Sequence, residues 1–311
     1  MSSLQLGFDA YLPREIAEKV QSVGVTKAHL SFLQTAMLGM CAGGFIGLGA
    51  LYYTLVVSDA SLGFAATRVL GGLVFSLGLI LVVVAGAELF TGNNLMVMAW
   101  ADRKITTAEL ARNWIIVYAA NAFGAMGLAL AVYLANHGAM NGGAVAVTYV
   151  KIAAAKTALP FGEAFFKGLL CNLLVCLAVW LALAGHTVVD KILAIVFPIS
   201  AFVAAGFEHS VANMYFIPLG LLYADSVTLP ASVNVSALSW GGFVGNLVPV
   251  TLGNIAGGSL MVAAVYYVIY RRGVLAAPRA AAERTRATDS PSADEARSRP
   301  ASAAASGGEH R

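Results

Sequence analysis

The sequence predicts an all-α membrane protein with six transmembrane helices. Apolar types make up 59% of its 311 residues and charged types 11%, and the mean hydropathy is +0.77, above that of a water-soluble domain of this size. No Asp, Glu, Lys or Arg occurs over 28–58, 69–87, 113–150, 168–189 or 226–270. Each stretch can cross a hydrocarbon core, which takes about 20 helical residues. A soluble protein with one large core would interleave polar helix faces with apolar ones.

In chain order, residues 1–28 form an N-terminal segment expected on the cytoplasmic side. It carries Arg14, Glu15, Glu18, Lys19 and Lys27, and it lacks the apolar centre and small-residue cleavage site of a signal peptide. Within it, Pro13 to Val23 reads as a short amphipathic helix at the membrane surface. Six spans follow, at about 29–56, 68–99, 112–135, 162–185, 192–224 and 241–270, making one channel domain over 29–272. Glycine pairs such as Gly43-Gly44, Gly71-Gly72 and Gly257-Gly258 suit close backbone approach between helices in lipid.

Residues 273–311 are expected to be a disordered cytoplasmic tail, because a segment rich in Ala, Ser, Arg and Pro buries too little apolar surface to offset its ordering entropy. From Arg271 onward the chain holds eight arginines and five acidic residues, so 8 − 5 accounts for the whole net charge of +3. The remainder balances, and nothing points to a nucleic acid partner. Cys41, Cys171 and Cys176 lie in apolar stretches without zinc or disulfide spacing, so no metal or cofactor is expected.

An even number of spans leaves both ends on one side. That side collects Arg14, Lys19, Lys27, Arg103, Lys104, Arg112, Lys191, Arg271, Arg272 and Arg279, against Arg68, Lys151, Lys156 and Lys167 opposite. Basic residues favour the cytoplasm, so both termini are expected there, in a bacterial inner membrane.

Two spans carry polar groups near their middle. The second contains Glu88, Thr91, Gly92, Asn93 and Asn94, and the fifth contains Glu208, His209, Ser210 and Asn213. Charge at that depth is costly, and irregular backbone is tolerated only where protein or a cavity surrounds it, so both spans are expected to be broken helices facing inward. The two align at an offset of 120, with Ala85/Ala205, Gly86/Gly206, Glu88/Glu208 and Asn93/Asn213 identical. A second match at 133 pairs Asn113, Val117, Asn121 and Gly124 with Asn246, Val250, Asn254 and Gly257. Together they indicate two three-helix repeats. Since each repeat holds an odd number of spans, the copies run through the membrane in opposite directions, a pattern that marks a translocation site where the interrupted helices meet.

His209 is the histidine that span ends do not explain. It sits mid-span beside Glu208 and four residues before Asn213, and no second ligand lies at metal spacing. A membrane enzyme would need a nucleophile with its base. Ser210 follows His209 directly and does not face it on a helix.

Three stretches, Glu88 to Asn94, Phe166 to Trp180 and Gly206 to Met214, closely resemble the formate/nitrite transporter family, and the resemblance runs from about residue 10 to residue 272. It implies an aquaporin-like six-helix fold and a homopentamer with one pore per protomer. It further implies that His209 is the central pore histidine, with Thr91 and Asn172 as polar neighbours. By the same matching, Leu79, Leu89 and Phe90 form the cytoplasmic constriction, Phe75 with Phe202 the periplasmic one, and Lys156 stands in the outer vestibule. The substrate is expected to be a small monovalent anion, formate first, with nitrite and hydrosulfide as alternatives.

Overall fold

The computed structural model describes residues 10–59 and 61–272, and its regular elements are helical. Helix α1 covers Pro13–Ala28, α2 Phe32–Val57 and α3 Phe64–Gly86. After a non-helical stretch the chain resumes as a 3₁₀ turn, Gly92–Met96, that leads into α4, Val97–Ala101. There follow α5 Thr107–Leu134, α6 Ala144–Thr157, α7 Phe161–Ala184, α8 Val188–Ala205, α9 Ser210–Tyr223 and α10 Trp240–Arg272. Six of them, α2, α3, α5, α7, α8 and α10, are long and apolar enough to cross a membrane. The tail expected over 273–311 lies outside the described residues.

Local chemistry sets several boundaries. The first span starts at Phe32 rather than 29 because Ser31 caps it: its hydroxyl accepts the Gln34 N–H while the Gln34 side chain accepts the Ser31 N–H. Thr106 with Glu109 opens α5 in the same way, and Thr187 with Asp190 opens α8 four residues before the expected start at 192. Helix α1 runs beyond Val23 to Ala28 and buries Ile16, Ala17, Val20 and Gly24.

Helix α6 was not anticipated. At 14 residues it is too short to span, and its uncharged face merged with the stretch before it. Its place follows from the packing: α1 packs on α4 as α6 packs on α9, α2 packs on α5 as α7 packs on α10, and α3 packs on α8 across the halves. Each half is therefore one short helix followed by three spans, a larger unit than the three-helix repeat read from sequence.

Glycine makes the paired spans fit. A Cβ at Gly124 of α5 would overlap the carbonyl oxygen of Met40 on α2, and one at Gly257 of α10 would overlap that of Leu169 on α7. Such contacts replace the hydrophobic drive that lipid does not supply. Arg271 meets Glu18 at 2.8 Å, so both ends of the described chain lie on one face, called here the terminal face.

Candidate permeation site

Both interrupted spans leave the helix at a glycine with positive φ, 85° at Gly86 and 76° at Gly206, a region that side chains disfavour. The chain then runs extended for a few residues and re-enters a helix. Breaking a helix inside a membrane strands backbone donors and acceptors, and each needs a partner.

Two asparagines supply those partners. Asn121 donates to the carbonyls of Glu88 at 2.9 Å and Gly39 at 2.8 Å, and accepts the Phe90 N–H at 2.9 Å. Asn254 donates to the carbonyls of Glu208 at 3.0 Å and Gly168 at 2.8 Å, and accepts the Ser210 N–H at 3.0 Å. The same three bonds hold the same positions in each half.

The carboxylates are treated alike. Lys27 lies 3.0 Å from Glu88, and Asn93 donates to Glu88 at 2.7 Å and to Asn113 at 2.9 Å. Lys156 lies 2.9 Å from Glu208, and Asn213 donates to Glu208 and to Asn246 at 2.7 Å each. Asn113 and Asn246 close the circuit by donating to the backbone carbonyls of Lys27 and Lys156. Each lysine sits in the last turn of its short helix, where a cation complements the helix dipole. Lys156, Glu208 and Asn213, expected from sequence near the site, are thus brought together. Lys156 is held by a carboxylate rather than standing free.

His209 occupies the junction. It is 3% exposed, its Nδ1 accepts the Ala212 N–H at 3.1 Å as the N-cap of α9, and its Nε2 lies 2.9 Å from the Thr91 hydroxyl. Because Nδ1 accepts, the neutral ring carries its hydrogen on Nε2, the nitrogen turned toward Thr91. Asn172 does not reach the ring. It donates toward the carbonyls of Thr91 and Asn254 and the side chain of Asn94, and so fixes the backbone on which Thr91 stands.

Apolar rings close in from the far face. Phe75 and Phe202 meet edge to face at 5.7 Å, and Phe202 stacks over His209 at 6.1 Å. Above them opens a cavity of about 460 Å³ whose wall includes Phe75, Phe202, Lys156, Glu208 and His209. Leu79, Leu89 and Phe90 are buried in the same apolar cluster, with Phe90 braced by Tyr118 and Trp114.

Sequence reading missed three basic residues. Lys27 was counted only toward orientation, although Lys27/Lys156 and Gly39/Gly168 share an offset of 129 that would have exposed its role. Arg68 and Lys167 also stand in the wall of the far cavity. Lys167 is bound to Glu163 at 2.6 Å.

Six apolar spans, two of them interrupted around a buried histidine, define a multi-pass membrane transport protein. The sequence model of the formate/nitrite transporter family matches residues 14–268, and the chain belongs to that family. It is 40% identical over 274 residues to the formate channel FocA of Escherichia coli, covering 85% of this chain and 96% of that one. It is 37% identical to the formate channel FocA of Haemophilus influenzae, over 81% of this chain and 92% of the other. Among solved structures it resembles a pentameric formate channel with formate bound, at TM-score 0.71 and 37% identity, covering 77% of this chain and 97% of that chain. An ion channel of the same family superposes at TM-score 0.72 with 28% identity, covering 82% of this chain and 98% of the other.

Proposed function

We propose that the chain conducts formate across the bacterial inner membrane as a homopentamer with one pore per protomer and both termini in the cytoplasm. The observation that carries this reading is the hydrogen bond between His209 and Thr91, a titratable ring and a hydroxyl facing each other where the two broken spans meet. A bare carboxylate loses its hydration between the apolar rings, at a cost far above that of the neutral acid. Nε2–H of His209 supplies a donor to the anion at that depth, and a protonated ring would supply a proton.

Phe75 and Phe202 form the outer constriction, and Leu79, Leu89 and Phe90 the inner one. The named relatives support formate as the substrate, and the excess of basic residues on the terminal face supports the orientation. The test is uptake of labelled formate into liposomes, with nitrite and hydrosulfide as competitors and native mass spectrometry as the subunit count. Saturable formate flux from a pentamer is the expected result. A folded protein that moves nitrite or hydrosulfide but not formate would overturn the substrate assignment, and a stable trimer would overturn the assembly.

A further inference from the structure

The C-terminal end of α8 points into the far cavity. A helix ends in carbonyls without intrahelical partners and carries about half a negative charge there, which repels an approaching anion. Gly206 and Phe207 close part of this end, their N–H groups reaching Val203 and Phe202 at 3.0 Å each. Arg68, reaching across from α3, covers more of it. Its Nε donates to the Ala204 carbonyl at 2.8 Å and its Nη2 to that of Val203 at 3.0 Å.

The other two cations in this wall have carboxylate partners, Lys156 with Glu208 and Lys167 with Glu163. Among the described residues, Arg68 has no carboxylate within 4.0 Å. Its charge faces the cavity without a countercharge of its own. Among the described residues the terminal face has no equivalent. At the offset of 120 the matching residue is Val188, and a Cβ built on Gly86 meets nothing within 4 Å, whereas one on Gly206 would lie 2.8 Å from Nη2 of Arg68.

We infer that Arg68 is a specificity-determining residue of the far mouth: it masks the carbonyl end of α8 and supplies the net positive charge that draws a monovalent anion in from that side alone. This rests on the reading of the chain as an anion channel. The consequence is directional. Removing the charge weakens the current of anions arriving from the far face and spares those arriving from the terminal face.

The test is current in planar bilayers, with orientation fixed by cleavage of a tag on one face, for wild type, Arg68→Gln and Arg68→Lys. At low salt Arg68→Gln should reduce far-side formate influx about two- to threefold, as expected for one charge about 8 Å away in a water-like dielectric. The deficit should vanish near 1 M salt, where the Debye length falls to about 3 Å. Arg68→Lys should keep the wild-type direction dependence. Should Arg68→Gln fail to assemble, Phe64→Glu is the second variant. It places an opposing charge on the rim of the same cavity at a residue 85% exposed, and should give the same rectification with the Arg68 bonds intact. Unchanged currents, or a loss equal in both directions and indifferent to salt, would overturn the inference. A wild type that conducts no anion would overturn the channel reading with it, whereas a conducting wild type with an unchanged variant sinks only the role of Arg68.

Discussion

Nε2 of His209 lies 2.9 Å from Oγ1 of Thr91, joining residues 118 positions apart in the chain. If that contact serves the permeating ion, His209→Asn should abolish the pH dependence of formate flux per folded pentamer. Thr91→Val keeps the volume and removes the hydroxyl. One such hydrogen bond is worth about 0.5–1.5 kcal/mol, so flux should fall about two- to tenfold. A full pH response in the His209→Asn channel would show that the ring is only packed there.

The pair of Lys156 and Glu208 predicts a stability cycle. Lys156→Gln strands a carboxylate that is 7% exposed and should cost about 3–5 kcal/mol, read as a lower thermal midpoint in detergent. The double variant with Glu208→Gln should recover most of it. Lys27→Gln and Glu88→Gln should behave alike on the terminal face. Recovery in neither double variant would mean the carboxylates were not the source of the loss. Flux in Lys156→Gln should also fall at low salt, since the uncompensated Glu208 charge in the cavity wall then repels the anion.

His137, in the far-face connection after α5, lies half-buried with its Nδ1 3.3 Å from the Tyr149 hydroxyl. Burial holds its pKa below the ordinary 6.5. A depressed folded value means the folded state binds fewer protons than the unfolded one, so its contribution is intact above pH 6.5 and fades as pH falls through the lowered value. Thermal scans should show wild type losing stability between pH 7.5 and pH 5.5 by more than His137→Gln. Parallel curves would remove His137 from the account.

Helix contact gives a fourth expectation. Gly257→Val places branched carbons against the Leu169 carbonyl and should prevent α7 and α10 from docking, read as loss of the assembled oligomer on gel filtration. Gly245→Val, where an added Cβ meets nothing within 4 Å, is the control and should assemble normally.

Hydropathy alone located all six spans, because lipid excludes charge from their middles: the charged residues they carry, such as Arg68, Glu109, Lys167, Asp190 and Arg271, fall toward the ends of their helices. The repeat was legible where identical residues do identical work, as at Glu88/Glu208 and Asn121/Asn254. What stayed hidden was short or distant. Helix α6 leaves no period strong enough to stand out, and the partner of Lys156 became visible only in three dimensions, 52 residues away. The resemblance puts Asn172 beside His209, yet its hydrogen bonds go to the backbone of Thr91 and Asn254 and to the Asn94 side chain, a distinction that side-chain identity does not encode. Arg68 had been counted only toward orientation, since nothing in the sequence shows that its side chain reaches carbonyls 135 and 136 positions on.

The clasps by Asn121 and Asn254 grip main-chain atoms of Glu88, Phe90, Glu208 and Ser210 and ask nothing of the side chains at Leu89, Phe90 and His209. Shape and chemistry at the junction are therefore separately heritable. A gene can drift at those three side chains while the interrupted backbone keeps its course, so a change in their chemistry requires no new architecture. Substitution at either clasp has no such freedom, for it would unmake the passage whatever the passage carries.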